Sequence, residues 1–153
     1  MSKSELPPER ERFVRGDFSR GFIRYCGYEV DTVGRGRLVS RLDILEHHRQ
    51  QDGFVHAGVM ATMADHTAGY AAFTLVPENV QILTIEFKVN FLRPAYRNVL
   101  VCRSGIIREG KTVMVGESEV FDVGPDGEVP VAKAMVTLMP VERDRLVKPP
   151  ARE

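Results

Sequence analysis

The sequence has no excess of charge of either sign. It contains 21 lysine and arginine residues and 21 aspartate and glutamate residues, so no overall field would attract nucleic acid or an acidic membrane. Its 153 residues are enough for one domain with a hydrophobic core, and 43% hydrophobic with 27% charged residues is typical of a globular chain. These values predict a single globular domain that binds neither nucleic acid nor a membrane.

Cysteine and long apolar segments are scarce. Cys26 and Cys102 are the only two cysteines, too few for a disulfide framework, so we expect free thiols and a cytoplasmic location. The stretch of lowest charge, 53–76, contains two histidines and an aspartate and is rich in alanine and glycine, which favours a buried helix over a membrane span. No apolar segment follows the charged N-terminus, so we expect no secretory signal.

Several common catalytic patterns are missing as well. No helix pattern follows Gly34-Arg35-Gly36, so it does not predict a phosphate-binding loop, and no serine lies in a nucleophile-elbow pattern. The histidines show no zinc-binding spacing, and His47 and His48 are expected to be solvated. The sequence therefore predicts neither a metal site nor a bound cofactor.

The apolar pattern predicts two strands, one buried helix and four further strands. Residues 1–12 are expected to be flexible, 13–141 to form the domain, and 142–153 to form a charged tail. Residues 13–25 have helical spacing and are followed by Gly27. The predicted strands are 28–32, 37–44, 82–92, 99–107, 112–123 and 129–139, and the buried helix is 59–76.

This order of elements predicts an α+β fold in which a long antiparallel sheet wraps around one central helix, with a short N-terminal helix beside it. The last four strands are expected to form a meander. Within 82–92, strict alternation places Ile85 and Phe87 on one face and Glu86 and Lys88 on the other, so Thr84 is expected on the polar face.

Candidate site residues converge at the start of the buried helix. The backbone N–H groups after Gly53 and the positive end of the helix dipole suit a carbonyl oxygen that becomes negative during nucleophilic attack. Asp65 lies seven residues after Gly58, which is nearly two turns and roughly 10 Å along the same face. A dry environment would raise the pKa of this carboxyl group and suit a general base. A purely structural carboxylate explains Asp65 equally well, and His56 is better explained as a residue that orders the loop.

Three segments together resemble the hot-dog-fold thioesterases of the phenylacetate-pathway (PaaI-like) type. They are Gly53-Phe54-Val55-His56-Ala57-Gly58 followed by Ala64-Asp65, then Asn90-Phe91-Leu92-Arg93-Pro94-Ala95, and then Arg108-Glu109-Gly110-Lys111-Thr112. The resemblance covers roughly residues 20–140. It implies a hot-dog fold, hydrolysis of an acyl-CoA, and active sites between two subunits of a homodimer, commonly paired into a homotetramer.

The same resemblance assigns roles to individual residues. It implies that Asp65 is the general base or the nucleophile, and that the Ala57 and Gly58 amides form the oxyanion site. His56 would order their loop. Alanine at position 57, where the family has glycine, keeps the N–H group.

The resemblance also concerns two further positions of the active site and three residues that would bind the CoA phosphates. Gln50 stands where the family has asparagine and is one methylene longer. Thr84 matches a position where a hydroxyl helps to hold the attacking water. The candidates for binding the CoA phosphates are Arg93, Arg108 and Lys111. The resemblance implies no cofactor other than the coenzyme A of the substrate.

Two other functions remain open at this stage. The substitutions at Gln50 and Ala57 are compatible with a non-catalytic acyl-CoA-binding protein, and His56 facing an acid would suit a hydratase or dehydratase of hydroxyacyl thioesters. The acyl group also stays open between aromatic and medium-chain. The side chains that could line its pocket, or equally belong to the core, are Phe54, Met60, Met63 and Tyr70.

Overall fold

A computed structural model gives the structure of the chain and describes residues 6–146. The helices are α1 (Pro8–Phe18), α2 (Gly21–Cys26) and α3 (Ala57–Phe73). The strands are β1 (Glu29–Gly34), β2 (Arg37–Asp43), β3 (Val80–Phe91), β4 (Val99–Arg108), β5 (Met114–Gly124) and β6 (Gly127–Glu142). Short 3-10 turns lie at Glu46–His48 and Arg143–Arg145. The predicted α+β fold, with one long helix against an antiparallel sheet, is confirmed.

The sheet has the order β1-β2-β4-β5-β6-β3, and every pair of neighbours is antiparallel. The expected meander of the last four strands is therefore wrong, because β3 pairs with β6 at one edge and β4 pairs with β2. Residue alternation identifies a strand but not its neighbour. The connection 92–98 carries the chain from the β3 edge to the other side of the sheet.

The core lies between α3 and the inner face of the sheet. Helix α3 has 17 residues, which corresponds to about 25 Å. Its buried residues are Met60, Met63, Ala64, Thr67, Ala68, Ala71, Ala72 and Phe73, and they face buried sheet residues such as Leu38, Leu100, Val120 and Val136. One side of α3, which carries Ala61, Asp65 and Gly69, remains partly exposed. No helix of the described part of the chain is long and apolar enough to cross a membrane.

The N-terminal region differs from the prediction in two ways. A helix begins at Pro8, so residues 8–12, expected to be flexible, are helical. Proline suits the first turn of a helix, and Arg10 fixes this helix to the end of α3. The single helix expected over 13–25 is split after Phe18, and α2 starts at Gly21, whose φ of +54° interrupts helical geometry.

Arg10 connects α1 to the C-terminal end of α3. Its guanidinium donates hydrogen bonds to the carbonyl oxygens of Phe73 (2.6 Å) and Val76 (2.9 Å) and lies 4.5 Å from the centre of the Phe73 ring. Carbonyl groups at a helix C-terminus have no partner within the helix, so Arg10 supplies one and favours the negative end of the dipole.

The two edges of the sheet differ in how they are covered. At the β1 edge, Arg15 of α1 donates hydrogen bonds to the carbonyl oxygens of Val30 and Asp31, both at 3.1 Å. The β3 edge has no such cover among the described residues. It carries exposed apolar side chains, including Leu83, Ile85, Phe87 and Phe91.

Strand β3 contains a bulge that changes the direction of its side chains. The register against β6 shifts between Thr84 and Glu86, so one residue is inserted there. Ile82 before the bulge and Val89 after it both pack against the core, although strict alternation would place them on opposite faces. The expectation that Thr84 lies on the polar face was therefore wrong, and Thr84 is directed towards α3.

Candidate active site

Asp65 and Thr84 meet between α3 and β3. The Thr84 hydroxyl donates a 2.8 Å hydrogen bond to Asp65 Oδ1, and the bulge of β3 makes this contact possible. A cavity of about 100 Å³ opens beside the pair. Its other lining residues are His66, Gly69, Tyr70, Phe73, Gln81 and Ile82.

The surroundings of Asp65 suit a proton acceptor. Burial raises the pKa of the Asp65 carboxyl group, while the hydrogen bond from Thr84 acts in the opposite direction and only partly offsets that rise. A carboxylate with a raised pKa accepts a proton from water more readily than an exposed one. The helix thus presents a partly desolvated base next to a cavity.

His66, the neighbour of Asp65, is a structural residue. Its Nε2–H donates to the Phe18 carbonyl oxygen at 3.1 Å, and its ring packs against Phe18 and Tyr70. Burial lowers the pKa of His66 to about 4, so the imidazole is neutral at pH 7. It therefore contributes a polar but uncharged wall to the cavity.

His56 caps the start of α3. The Gly58 N–H donates to His56 Nδ1 at 2.9 Å, so this histidine is the N-cap. A Cβ atom at position 58 would lie 3.0 Å from the same nitrogen, a close contact that glycine avoids. The Gly58 N–H is thus already engaged, whereas the Ala57 N–H donates to no residue within 6–146. Of the two amides named from the sequence, Ala57 is the one free to bind an oxyanion.

The loop before α3 is held by buried and local hydrogen bonds. His48 is only 4% exposed and bonds the Cys26 carbonyl through Nε2 at 2.8 Å, and its own carbonyl accepts the His56 N–H at 2.9 Å. His48 was expected to be solvated, and its anchoring role was missed because nothing in the local sequence reveals its distant partner. The Gln50 side-chain oxygen accepts a hydrogen bond from the Asp52 N–H, which keeps this amide within the loop.

A larger cavity, of about 560 Å³, lies at the N-terminal end of α3. It brings together Gln50, His56, Ala57 and Arg93, with Phe54 and Met60 among its apolar walls. Tyr70 lines the smaller cavity instead, and Met63 is fully buried core.

The candidate phosphate-binding residues lie at opposite ends of α3. Arg93 belongs to the N-terminal cavity and donates to the Pro130 carbonyl oxygen at 3.0 Å. Lys111 lies near Leu75 and Val76, beyond the C-terminal end of the helix, and Arg108 ends the adjoining strand. One protomer does not bring the three cations together.

The Ala57 N–H and the Asp65 carboxylate are also far apart within one protomer. Ala57 and Asp65 are eight residues apart on one helix, which is roughly 12 Å along its axis. A carbonyl group that accepts a hydrogen bond from Ala57 therefore lies beyond the reach of a water held by Asp65 of the same chain. A complete site of this kind needs a second helix.

The comparison with protein families identifies the family of this chain. Residues 52–128, half of the chain, match the family described as the thioesterase superfamily. The matched segment contains the N-terminal loop of α3, the helix itself, Asp65 and Thr84. The chain belongs to the thioesterase superfamily, with the hot-dog fold, and is a thioester hydrolase.

Individual relatives support the same assignment. The structure of a thioesterase family protein from Silicibacter pomeroyi superposes with a TM-score of 0.83 at 34% identity, over 87% of this chain and 98% of that one. A Saccharolobus solfataricus protein named "Putative esterase" is 31% identical over 70% of this chain and 74% of its own length. The 1,4-dihydroxy-2-naphthoyl-CoA hydrolase of Listeria monocytogenes is 26% identical, over 67% of this chain and 83% of its own length.

Proposed function

We propose that this protein hydrolyses an acyl-CoA thioester to free CoA and a carboxylic acid, with Asp65 as the general base. The observation that carries the proposal is the hydrogen-bonded pair of Asp65 and Thr84 beside a cavity on the partly exposed side of α3. The likeness to a named CoA-thioester hydrolase supports coenzyme A as the thiol component. Neither hydration nor simple acyl-CoA binding has comparable support, because the matched family is described as the thioesterase superfamily.

We further propose that two copies form each site by joining their β3 edges. This edge has exposed apolar side chains and no cover among the described residues. A continuous sheet with both helices on one face requires a two-fold axis perpendicular to the sheet, so the two α3 helices run antiparallel. With the axis near Ala61, Asp65 of one protomer faces Ala57 of the partner subunit.

The same arrangement would bring the basic side chains that are candidates for binding the CoA phosphates close together. Antiparallel helices place the C-terminal end of one α3, with Arg108 and Lys111, beside the N-terminal end of the other, with Arg93 of the partner subunit. The three side chains would then surround one entrance and suit the phosphates of CoA. Pairing of dimers into a tetramer, a cytoplasmic location and independence from a cofactor stay predictions.

The chemistry then runs in three steps. Asp65 removes a proton from a water that Thr84 helps to hold, and the hydroxide adds to the thioester carbonyl carbon. The Ala57 N–H of the partner subunit and the positive end of its helix stabilise the oxyanion. Collapse of the tetrahedral intermediate breaks the carbon–sulfur bond, and the leaving thiolate takes the proton from Asp65.

The test is hydrolysis of a panel of acyl-CoAs by the parent protein and by Asp65→Asn, with free thiol as the readout. We expect turnover of at least one acyl class and a loss of about a hundredfold or more in kcat for the variant. Asp126→Asn, in an exposed turn, is the matched control and should retain full activity. Unchanged activity of Asp65→Asn would rule out the proposed base.

A single-turnover reaction in ¹⁸O water tests direct activation of water against attack by Asp65 followed by hydrolysis at the Asp65 carboxyl carbon. Direct activation of water puts the label only in the acyl product. Attack by Asp65 to give a mixed anhydride that water opens at the Asp65 carboxyl carbon would instead leave ¹⁸O in the Asp65 carboxyl group and no label in the first acyl product. Our proposal requires the first result.

A further inference from the structure

We infer that Ser118 of β5 is a positioning residue that fixes the rotation of α3 and thereby the direction of the Asp65 carboxylate. Its hydroxyl is fully buried and donates a 2.7 Å hydrogen bond to the Ala64 carbonyl oxygen. That carbonyl belongs to the peptide group whose nitrogen is the backbone nitrogen of Asp65. Ser118 therefore holds the peptide unit from which the proposed base projects.

Ser118 belongs to a buried series of hydrogen bonds that also includes Ser104 and Cys102. The donor in each of these bonds follows from counting the available protons. Because Ser118 gives its only proton to Ala64, the 2.6 Å contact with Ser104 is donated by Ser104. The 3.6 Å contact between Ser104 and Cys102 is then donated by the thiol. Burial raises the pKa of Cys102 to about 11, which keeps this thiol protonated. This series of hydrogen bonds connects Cys102 on β4 to α3, and each hydroxyl group in it is hydrogen-bonded.

A second link of the same kind lies one turn further along the helix. Thr67 donates to the Met63 carbonyl oxygen at 2.6 Å, so the 2.7 Å contact with Ser40 is donated by Ser40 of β2. Two hydroxyl groups of the sheet, one on β2 and one on β5, thus donate hydrogen bonds to α3. They reach the helix on either side of Asp65 in sequence.

Helix α3 needs directional contacts because its side chains are small. Ala64, Ala68, Ala71 and Ala72 form much of its buried face, and such a surface has shallow ridges that resist rotation weakly. The helix also lies close to β5, where a Cβ atom on Gly116 would be 3.7 Å from the Ala68 Cβ. Apolar burial therefore sets the distance of α3 from the sheet, whereas the hydroxyl donors set its rotation.

A small rotation would matter for catalysis. A carboxylate about 6 Å from the helix axis moves by about 1 Å for a rotation of roughly 10°. A displacement of about 1 Å in a reacting group can cost on the order of a hundredfold in rate. Loss of Ser118 should accordingly impair the chemical step more than binding.

The test compares Ser118→Ala with Ser104→Ala, and its kinetic readout rests on the proposed function. Each variant removes one buried hydroxyl from the same series of hydrogen bonds, but Ser104→Ala leaves the hydrogen bond from Ser118 to Ala64 in place. We expect Ser118→Ala to lower kcat at least tenfold, with KM within threefold and the acid limb of the pH profile displaced. Ser104→Ala should keep kcat within threefold of the parent protein.

Equal losses in both variants, or no loss in Ser118→Ala, would overturn the inference. If Ser118→Ala does not fold, Ser40→Ala tests the other donor and should lower kcat severalfold at unchanged KM, with parental kcat again overturning the inference. Titration of the Asp65 carboxyl carbon by ¹³C NMR gives a readout independent of turnover. Its pKa should change in Ser118→Ala and not in Ser104→Ala, even if the parent protein proves to hydrolyse no acyl-CoA.

Discussion

Two opposing effects act on the Asp65 carboxyl group. Burial beside the β3 edge favours the protonated form, whereas the Thr84 hydroxyl donates to Oδ1 and favours the ionised form. The balance keeps the pKa above its ordinary value, so the carboxyl group is ionised only as the pH rises through that raised value. With Asp65 as the proposed base, Thr84 is expected to influence the pH at which hydrolysis begins.

Replacement of Thr84 by valine should move the acid limb of kcat/KM to higher pH. The substitution keeps the shape of the side chain but removes the hydrogen bond that favours the charged carboxylate, so the pKa of Asp65 rises further. The measurement is the pH dependence of kcat/KM. Thr112→Val, which changes an exposed hydroxyl in the β4–β5 connection, is the control. An unmoved acid limb in Thr84→Val would contradict the role given to this hydroxyl.

Individual residues were predictable to different degrees. The roles of Asp65 and His56 could be proposed because the motif around them lies in one continuous stretch of the chain. The family resemblance named Thr84, but residue alternation placed it on the wrong face of its strand, because a bulge leaves no mark in the alternation. The engagement of the Gly58 N–H also depends on a ring orientation that the sequence does not encode in any local pattern.

At the scale of elements, α3 is held at its C-terminal end by a side chain from α1. Arg10 is 12% exposed and binds two carbonyl oxygens at the end of α3, as well as the Phe73 ring. The carbonyls lose these charge-assisted donors if Arg10 is removed. The helix that carries Asp65 thus depends on a segment that composition alone assigned to a flexible terminus.

Arg10→Met should lower the free energy of unfolding by about 2–3 kcal/mol, because two hydrogen bonds from a charged group are lost while most of the apolar stem remains. Urea denaturation is the measurement. Arg12→Met, on the exposed side of the same helix, should stay within about 0.5 kcal/mol of the parent protein. A similar stability for both variants would show that Arg10 contributes little to holding α3.

The elements themselves were largely predictable, and their neighbours were not. All six strands and the central helix follow from periodicity, with boundaries shifted by a few residues. The position of β3 beside β6 could not be inferred, since it depends on long-range closure of the sheet around α3. The start of the N-terminal helix was predicted too late in the sequence. Its charged residues, such as Arg10, make contacts with a helix that is distant in sequence, and no local pattern predicts those contacts.

At the scale of the whole molecule, the described chain has the proposed base and an uncovered sheet edge on the same side. Asp65 lies next to β3, and β3 carries the exposed apolar residues Ile85 and Phe87. Association through β3 would therefore cover the apolar edge and bring a second helix N-terminus to the base. Assembly and catalysis are expected to fail together.

Ile85→Lys should convert the protein to monomers and reduce activity by at least tenfold. Ile85 is 54% exposed on the edge strand, and a lysine there would place a charge within the proposed interface. Light scattering coupled to size exclusion gives the mass, and acyl-CoA hydrolysis gives the activity. Phe22→Lys, which changes an exposed apolar residue of α2, should leave both unchanged. A fully active monomeric Ile85→Lys would exclude the shared site.

The hydrogen bonds from Arg15 to the carbonyl oxygens of Val30 and Asp31 cover the β1 edge, so within residues 6–146 the β3 edge is the open end of the sheet. In the terms of polymer chemistry, the proposed pairing would make each protomer a monofunctional unit, with Arg15 as its chain stopper. Joining two open ends would consume both, so strand-by-strand growth would terminate at a pair instead of continuing into a fibre. The Arg15 guanidinium would thereby limit how many copies one sheet can contain.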